Sequence, residues 1–494
     1  MGTPDLAALE ALRMREQYRD AYWSRRDPIY EDRLLWRAHS FRQMVHLLPG
    51  ESILELGAGK GLLTRQLVRI SRAENPITAM TFKDQYEVIP NLGNAVTWEH
   101  VNSSNLRSNG QYDHVIAMDL LDKRNCSWVL QQIYEQLKPG GQMVLYESNP
   151  WNVILTLRHA LQRLHGTYDP RRLLARPELF ELISEIGFIK VFSVYNDFVY
   201  RPFPRSLMWL FRHLSTLLEN MPGFRTLAGS IFIHAQKPPR IVEKPVVSLC
   251  DHHALHGAIS VVIPCHNEEM NIIPLIRRLK DMYGNYLHEI IPVEDNSQDK
   301  TASVLRDIAA KEPLVKPVFR VPPNGVGRAL SDGYQKASGR YVLSMDCDFI
   351  ALLPELRDLF DAAADGYDVV IGSRFSRHSV LLNYPFKKIL ANRAFHALAQ
   401  ILLFRRFRDV TNNLKLMRLE VVQRLRISQP HFAANAEIGL KPILMGYTVK
   451  EVPISWINRT PDMGVSSFQL ASVGRGYLAV LFRLSYERLL GNPL

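Results

Sequence analysis

Two aspartates one residue apart, Asp346 and Asp348 in the stretch LSMDCDFI, follow an apolar run that reads as a buried strand. Carboxylates at that spacing suit magnesium or manganese, hard cations that keep waters and substrate phosphates in the rest of their shell. A cation held there would neutralise the negative charge that develops on a departing diphosphate. Alone, the pair is also what a solvated loop after a strand looks like. Its company is what singles it out. VVIPCHNEE sets Pro264, His266 and Glu268 at the end of one apolar run, and VEDNSQDKT sets Glu294 and Asp295 at the end of another. The small residues of NGVGRALSDGYQKASGR then allow close backbone approach on the way into the aspartate pair.

A different chemistry is suggested near the N-terminus. ILELGAGKG places Glu55, Gly57, Gly59 and Gly61 between an apolar run and the helical pattern LLTRQLVRI. Glycines there let a ligand approach the backbone, and the amides opening the helix favour polar or anionic groups.

The elements that must position these residues fall into two series. From Glu51 to Lys237 the runs SILEL, ITAMTF, YDHVIAMDLL and GQMVLYE alternate with helical patterns, which predicts βαβ units and a parallel sheet. AISVVIP, EIIPVED, RYVLSMD and DVVIGSR begin a second such series. Between them QKPPRIVEKPVVSLCDHHALHGA has prolines and histidines with little periodicity, as a linker does. The expected organisation is a helical extension over 1–50, an α/β domain over 51–237, a linker over 238–257, a second α/β domain over 258–470, and an amphipathic helix over 471–494. Two large domains also fit a length of 494 residues.

The net charge of +11 and pI near 9.4 favour an anionic partner. No basic stripe with interleaved stacking aromatics is present, so a nucleic-acid partner is not expected. Cys126, Cys250, Cys265 and Cys347 lack CxxC spacing, which argues against a zinc site and fits a reducing compartment. The first residues lack the continuous apolar core of a signal peptide, and the apolar runs are interrupted well before the roughly 20 residues that span a bilayer. The expected location is cytoplasmic, peripheral on the cytoplasmic face of a membrane. RHSVLLNYPFKKILANRAFHALAQILLFRRFR, which alternates apolar stretches with lysine and arginine, suits an anionic headgroup region.

With YDHVIAMD and KPGGQMVLYE beside the glycine loop, residues 50–237 resemble the class I methyltransferases that use S-adenosylmethionine. The resemblance implies a Rossmann-like fold in which Glu55 orients the methionine amino group, the three glycines line the cofactor, and Asp119 lies near it. Two positions depart from the pattern. Thr81 stands where an acid usually receives the ribose hydroxyls, with Asp84 three residues later, and Asn102 and Ser103 stand where an acid often meets the adenine. One hydroxyl accepts hydrogen bonds less well than a carboxylate. The methyl acceptor is not legible; His100, His159 and Glu147 are candidate bases.

Residues 258–470 resemble family 2 glycosyltransferases of the GT-A fold, particularly the dolichyl-phosphate mannosyltransferase and polyprenyl-phosphate sugar transferase branch. The whole chain is thus expected to be α/β, a methyltransferase fold followed by a nucleotide-diphospho-sugar transferase fold. The resemblance implies that Pro264, His266, Glu268, Glu294 and Asp295 surround the nucleoside and that Asp346 and Asp348 hold the metal. It also implies that Arg374 of GSRF approaches the phosphates. Asp409 of DVTNNLKLMR matches the branch's DxT segment, NAEIGLK spaces Glu437 and Lys441 by one helical turn, and Arg459 is matched to an arginine that meets the diphosphate or acceptor phosphate. Ile350 and Ala351 occupy the third metal-facing position, and Ser467 stands where many relatives have lysine. The implied partners are a nucleotide sugar and a polyprenyl phosphate or lipid-linked glycan. A phosphate acceptor is already an anion and needs no base, whereas a glycan hydroxyl would need one, for which Asp409 is the candidate.

Overall fold

Short apolar runs separated by amphipathic helices bury both faces of a sheet, and the chain does this twice. The computed structural model describes residues 6–24, 28–82, 92–101, 110–164, 172–199, 205–239, 247–457 and 470–490. It divides into two compact units, Met1–Lys244 with Val380–Phe386, and Pro245–Ser379 with Lys387–Leu494.

Unit 1 opens with helices α1 (Leu6–Trp23) and α2 (Pro28–Val45), followed by β1 (Ile53–Leu56), α3 (Leu62–Ile70), β2 (Ile77–Thr81), β3 (Val96–His100) and β4 (Tyr112–Met118). Then come α4 (Cys126–Gln136), β5 (Leu137–Ser148), α5 (Val153–Leu164), α6 (Arg176–Ile186), β6 (Ile189–Asn196), α7 (Met208–Glu219) and β7 (Ser230–Gln236). The sheet order is β3-β2-β1-β4-β5-β7-β6. All four residues of β1 are buried, as a strand covered on both faces requires. Helix α3 turns Leu63, Leu67 and Ile70 inward at helical spacing. The core under this sheet gathers Leu54, Val115, Val129, Ile133, Leu145 and Ile233. One strand departs from the all-parallel expectation: β7 lies antiparallel to β5 and to β6.

Unit 2 contains β8 (Ile259–Cys265), α8 (Ile272–Tyr283), β9 (Leu287–Glu294), α9 (Thr301–Lys311), β10 (Val318–Phe319), α10 (Val326–Lys336) and β11 (Tyr341–Ser344). After α11 (Leu356–Ala364) and β12 (Val369–Ser373), the chain forms β13 (Val380–Leu382), which belongs to unit 1, and then α12 (Phe386–Leu403), β14 (Lys415–Arg418), α13 (Leu419–Arg424), α14 (Ala434–Leu444), β15 (Val449–Pro453) and α15 (Leu470–Leu489). Its sheet order is β10-β9-β8-β11-β14-β12-β15, with β14 antiparallel to both neighbours. Gly327 is required near the start of α10, because a Cβ there would lie 2.0 Å from the Gln429 carbonyl oxygen. Among the described residues no helix is long and apolar enough to cross a membrane.

Candidate active site

Ligands of open α/β sheets bind beyond the carboxyl ends of the strands, where the strand order reverses. In unit 2 that point lies between β8 and β11. Val262 pairs with Ser344, and Cys265 pairs with Glu294 on β9, so the residues after β8, β9 and β11 emerge at one edge. There the Sγ atoms of Cys265 and Cys347 are 3.4 Å apart, which sets Pro264 beside the Asp346–Asp348 turn. Nδ1 of His266 donates to the Asp295 carbonyl at 2.9 Å.

The acids around this edge differ in what they do. Glu294 accepts from the Ser297 amide at 2.6 Å, and Glu268 accepts from Asn271 Nδ2 at 2.7 Å, so both brace their own loops. Asp295 accepts from the Gly325 amide at 2.7 Å and from the Arg320 guanidinium, which also reaches Asp332 at 2.6 Å. Asp346 accepts from Asn413 Nδ2 at 2.7 Å, and Asp348 is exposed. Burial, and then the neighbouring Asp348, pushes the Asp346 carboxyl up to about 7. Two carboxyl groups that resist joint ionisation are a donor set that a divalent cation would relieve. Among the described residues no group of three or more His, Cys, Asp or Glu side chains is placed to hold a metal ion.

Behind it, Arg374 makes a bidentate contact with Asp409, Nε to Oδ2 at 2.7 Å and Nη2 to Oδ1 at 2.9 Å, and also donates to Thr411 Oγ1 at 2.9 Å. Asp409 is fully buried, and the arginine holds its carboxyl far below the usual range against the cost of burial. His396 lies behind the pair. Its Nδ1 donates to the Asn392 carbonyl at 2.7 Å and its Nε2 accepts from the Val410 amide at 3.0 Å, a neutral tautomer whose pKa burial pushes down to about 4. Glu437 and Lys441 are not a surface pair: Glu437 is fully buried, 2.8 Å from Lys441 and 2.7 Å from Arg483, and accepts from the amides of Ser428 and Gln429. Arg459 and Ser467 lie outside the described residues.

Sequence reasoning missed Asn413 and Lys415. Lys415 is fully buried on β14, donates to the Asn412 carbonyl, and is pushed down by burial to about 7. Its one sequence signal is a lysine inside the apolar stretch LKLM.

In unit 1 the order reverses between β1 and β4, and the glycine loop after β1 and Asp119 after β4 face that crevice. Gly57, Gly59 and Gly61 all have positive φ, which glycine alone adopts freely. Glu55 accepts from Thr64 Oγ1 at 2.6 Å, and burial pushes its carboxyl up to about 7. Helix α1 lies over the loop. Glu16 accepts from the Gly59 amide at 2.9 Å, Thr81 Oγ1 at 3.0 Å and the Phe82 amide at 3.1 Å, while Asp20 accepts from the Lys60 amide at 2.9 Å. A Cβ on Gly59 would be 2.3 Å from Asp20 and 2.7 Å from Arg19. Arg15 donates to the Asp119 carbonyl at 2.6 Å, and the Asp119 carboxylate accepts from Ser148 Oγ at 2.6 Å. The room that the glycines open is thus taken by Glu16, Arg19 and Asp20, which any ligand of this crevice would have to displace. Asp84, Asn102 and Ser103 lie outside the described residues.

Residues 260–426 match the family Glycosyl transferase family 2. The C-terminal unit carries a family 2 glycosyltransferase domain. This glycosyltransferase domain is similar to the Dolichol-phosphate mannosyltransferase of Pyrococcus furiosus, 29% identical over 37% of this chain and 52% of that protein. It is 26% identical to the Polyprenol monophosphomannose synthase of Mycolicibacterium smegmatis, over 43% of this chain and 82% of that protein. The Dolichyl-phosphate hexose transferase of Haloferax volcanii is also 26% identical, over 45% of this chain and 93% of that protein. The chain thus spans about half the length of the first of these relatives and most of the other two.

Proposed function

We propose that unit 2 transfers a sugar from a nucleotide donor to a polyprenyl phosphate, with inversion at the anomeric carbon and dependence on a divalent cation. The observation that carries this reading is the Asp346–Asp348 pair at the strand-order reversal, with Asp409 behind it locked onto Arg374. Magnesium or manganese bound by the pair would supply neutralisation of the charge on the departing nucleoside diphosphate. Pro264, His266 and the loops braced by Glu268, Glu294 and Asp295 shape the nucleoside side of the edge. Both oxygens of the buried Asp409 are engaged by Arg374, which leaves it poorly placed to act as a base and favours an acceptor that already carries its own charge over a glycan hydroxyl. The names of the three relatives point the same way. An acceptor of this kind lives in a membrane, and the exposed Leu390, Ile401 and Phe404 beside Arg405 and Arg406 suit the apolar and anionic layers of its cytoplasmic face.

Radiolabel transfer from a panel of nucleotide sugars into a chloroform-extractable polyprenyl-phosphate fraction tests this. Cation-dependent incorporation that disappears in Asp348→Ala is the expected result. Donor hydrolysis without lipid labelling would move the acceptor to a glycan hydroxyl.

For unit 1 the sheet, the glycine loop and Glu55 support methylation of an intermediate of the same pathway with S-adenosylmethionine. The side chains of α1 in the crevice favour a second reading, a non-catalytic binding module. Calorimetric titration with S-adenosylhomocysteine, followed by a search for methyl transfer to the lipid-linked product, separates the two.

A further inference from the structure

Helix α7 is inverted for a helix on a water-facing surface, where the apolar stripe ordinarily points to the core. Its inward stripe is Met208, Arg212, Ser215 and Glu219. Arg212 pairs with Asp32 at 2.9 Å, the Phe198 amide donates to Ser215 Oγ at 2.8 Å, and Glu219 accepts from the Asp197 amide at 2.9 Å. Its outward side carries Trp209, Leu210 and Leu214, and Trp209 is 59% exposed. Helix α5 does the same with Ile154, Leu157 and Leu161, all more than half exposed, and Trp151 precedes it at 48%. Both helices are anchored near the 3₁₀ turn Phe224–Leu227: Asn149, just before α5, donates to the carbonyls of Thr226 and Ala228 at 2.8 and 2.7 Å, and four residues separate the end of α7 from the turn. Scattered exposed apolar residues are ordinary, but two helices that both turn apolar stripes outward and are both anchored on one turn mark a binding surface.

The charge of the patch selects its partner. Residues 149–164 contain no acid, and residues 205–228 contain one, Glu219, which faces inward. The same two segments carry four arginines besides Arg212 in the sequence, and among the described side chains Arg225 is exposed. A second copy of the chain would set these cations against one another. An anionic bilayer accepts both the apolar side chains and the cations, and tryptophan favours its interfacial layer. Each helix has 12 residues, too few to span and suited to lying flat.

We propose that this face of unit 1 docks on an anionic lipid bilayer, independently of the acceptor that unit 2 uses. The full-length chain would be sedimented with phosphatidylcholine vesicles, with and without phosphatidylglycerol. The parent is expected to bind the anionic vesicles, and Trp209→Glu with Leu214→Glu to lower the partition coefficient about tenfold or more. An unchanged coefficient overturns the proposal even if other surfaces bind lipid, and so does a parent that binds neither vesicle. A dimer in light scattering that the same variant dissolves would assign the face to a second copy and overturn it as well. Quenching of tryptophan emission by brominated lipids gives a second readout that needs no charge inside the patch. The quenched fraction should fall in Trp151→Phe with Trp209→Phe, and an equal fraction in parent and variant overturns the proposal.

Discussion

Asp409 and Lys415 lie in the same buried region and respond to pH in different ways. Arg374→Ala would leave the Asp409 carboxylate buried without its cation, a loss of about 3–5 kcal/mol in urea unfolding at neutral pH. The folded pKa of Asp409 is depressed below the unfolded value of about 4, so the stabilisation is complete above that value and fades as pH falls below it. The gap between parent and variant should therefore narrow on acidification. For Lys415 the folded value is pushed down to about 7, against an unfolded value of about 10.4. Between those values the unfolded chain holds a proton that the native one has lost, so native stability rises with pH. Lys415→Met removes that dependence, and its stability advantage over the parent should shrink as the pH of denaturation is raised from 7 to 10. Asp346, Asp348 and Arg374 could be singled out as candidates from the sequence because their motifs occur in a fixed order. Lys415 was not, because one lysine in an apolar run carries no spacing that tells a buried cation from a strand end.

At the scale of elements, α1 is the clearest case of a helix whose presence could be read and whose contacts could not. Glu16, Arg19 and Asp20 at helical spacing look in sequence like a solvated face. In the structure they accept or crowd the backbone groups of the glycine loop. Glu16→Ala removes a carboxylate that receives three hydrogen bonds, and titration with S-adenosylhomocysteine should show binding about tenfold tighter than in the parent. Weaker binding in the variant would instead make Glu16 a ligand group that supplies the acid missing at Thr81. A different element contact fixes Gly327. Alanine there forces α10 away from the Gln429 carbonyl, and thermal unfolding should report a loss of about 1–3 kcal/mol. The antiparallel strands β7 and β14 escaped the sequence because an apolar run carries no sign of its direction. β14 was moreover hidden inside a segment read for its polar residues.

At the scale of the molecule, two units with separate sheets and cores imply unfolding that is not a single two-state event. Calorimetry should resolve two transitions. A nucleoside diphosphate with manganese at about a hundred times its dissociation constant should stabilise one of them by about 2.7 kcal/mol and leave the other in place. The existence of two α/β units was readable from the repeated alternation of strands and helices, which depends only on local periodicity. What fills each crevice was not, because it depends on which distant segment packs there. Helix α1 is covalently tethered to the crevice it occupies, so it competes with any soluble ligand at a fixed effective concentration of the millimolar order. Diluting the protein cannot weaken that competition. The apparent affinity of a crevice ligand would equal its intrinsic affinity scaled by the fraction of molecules in which the helix has swung away.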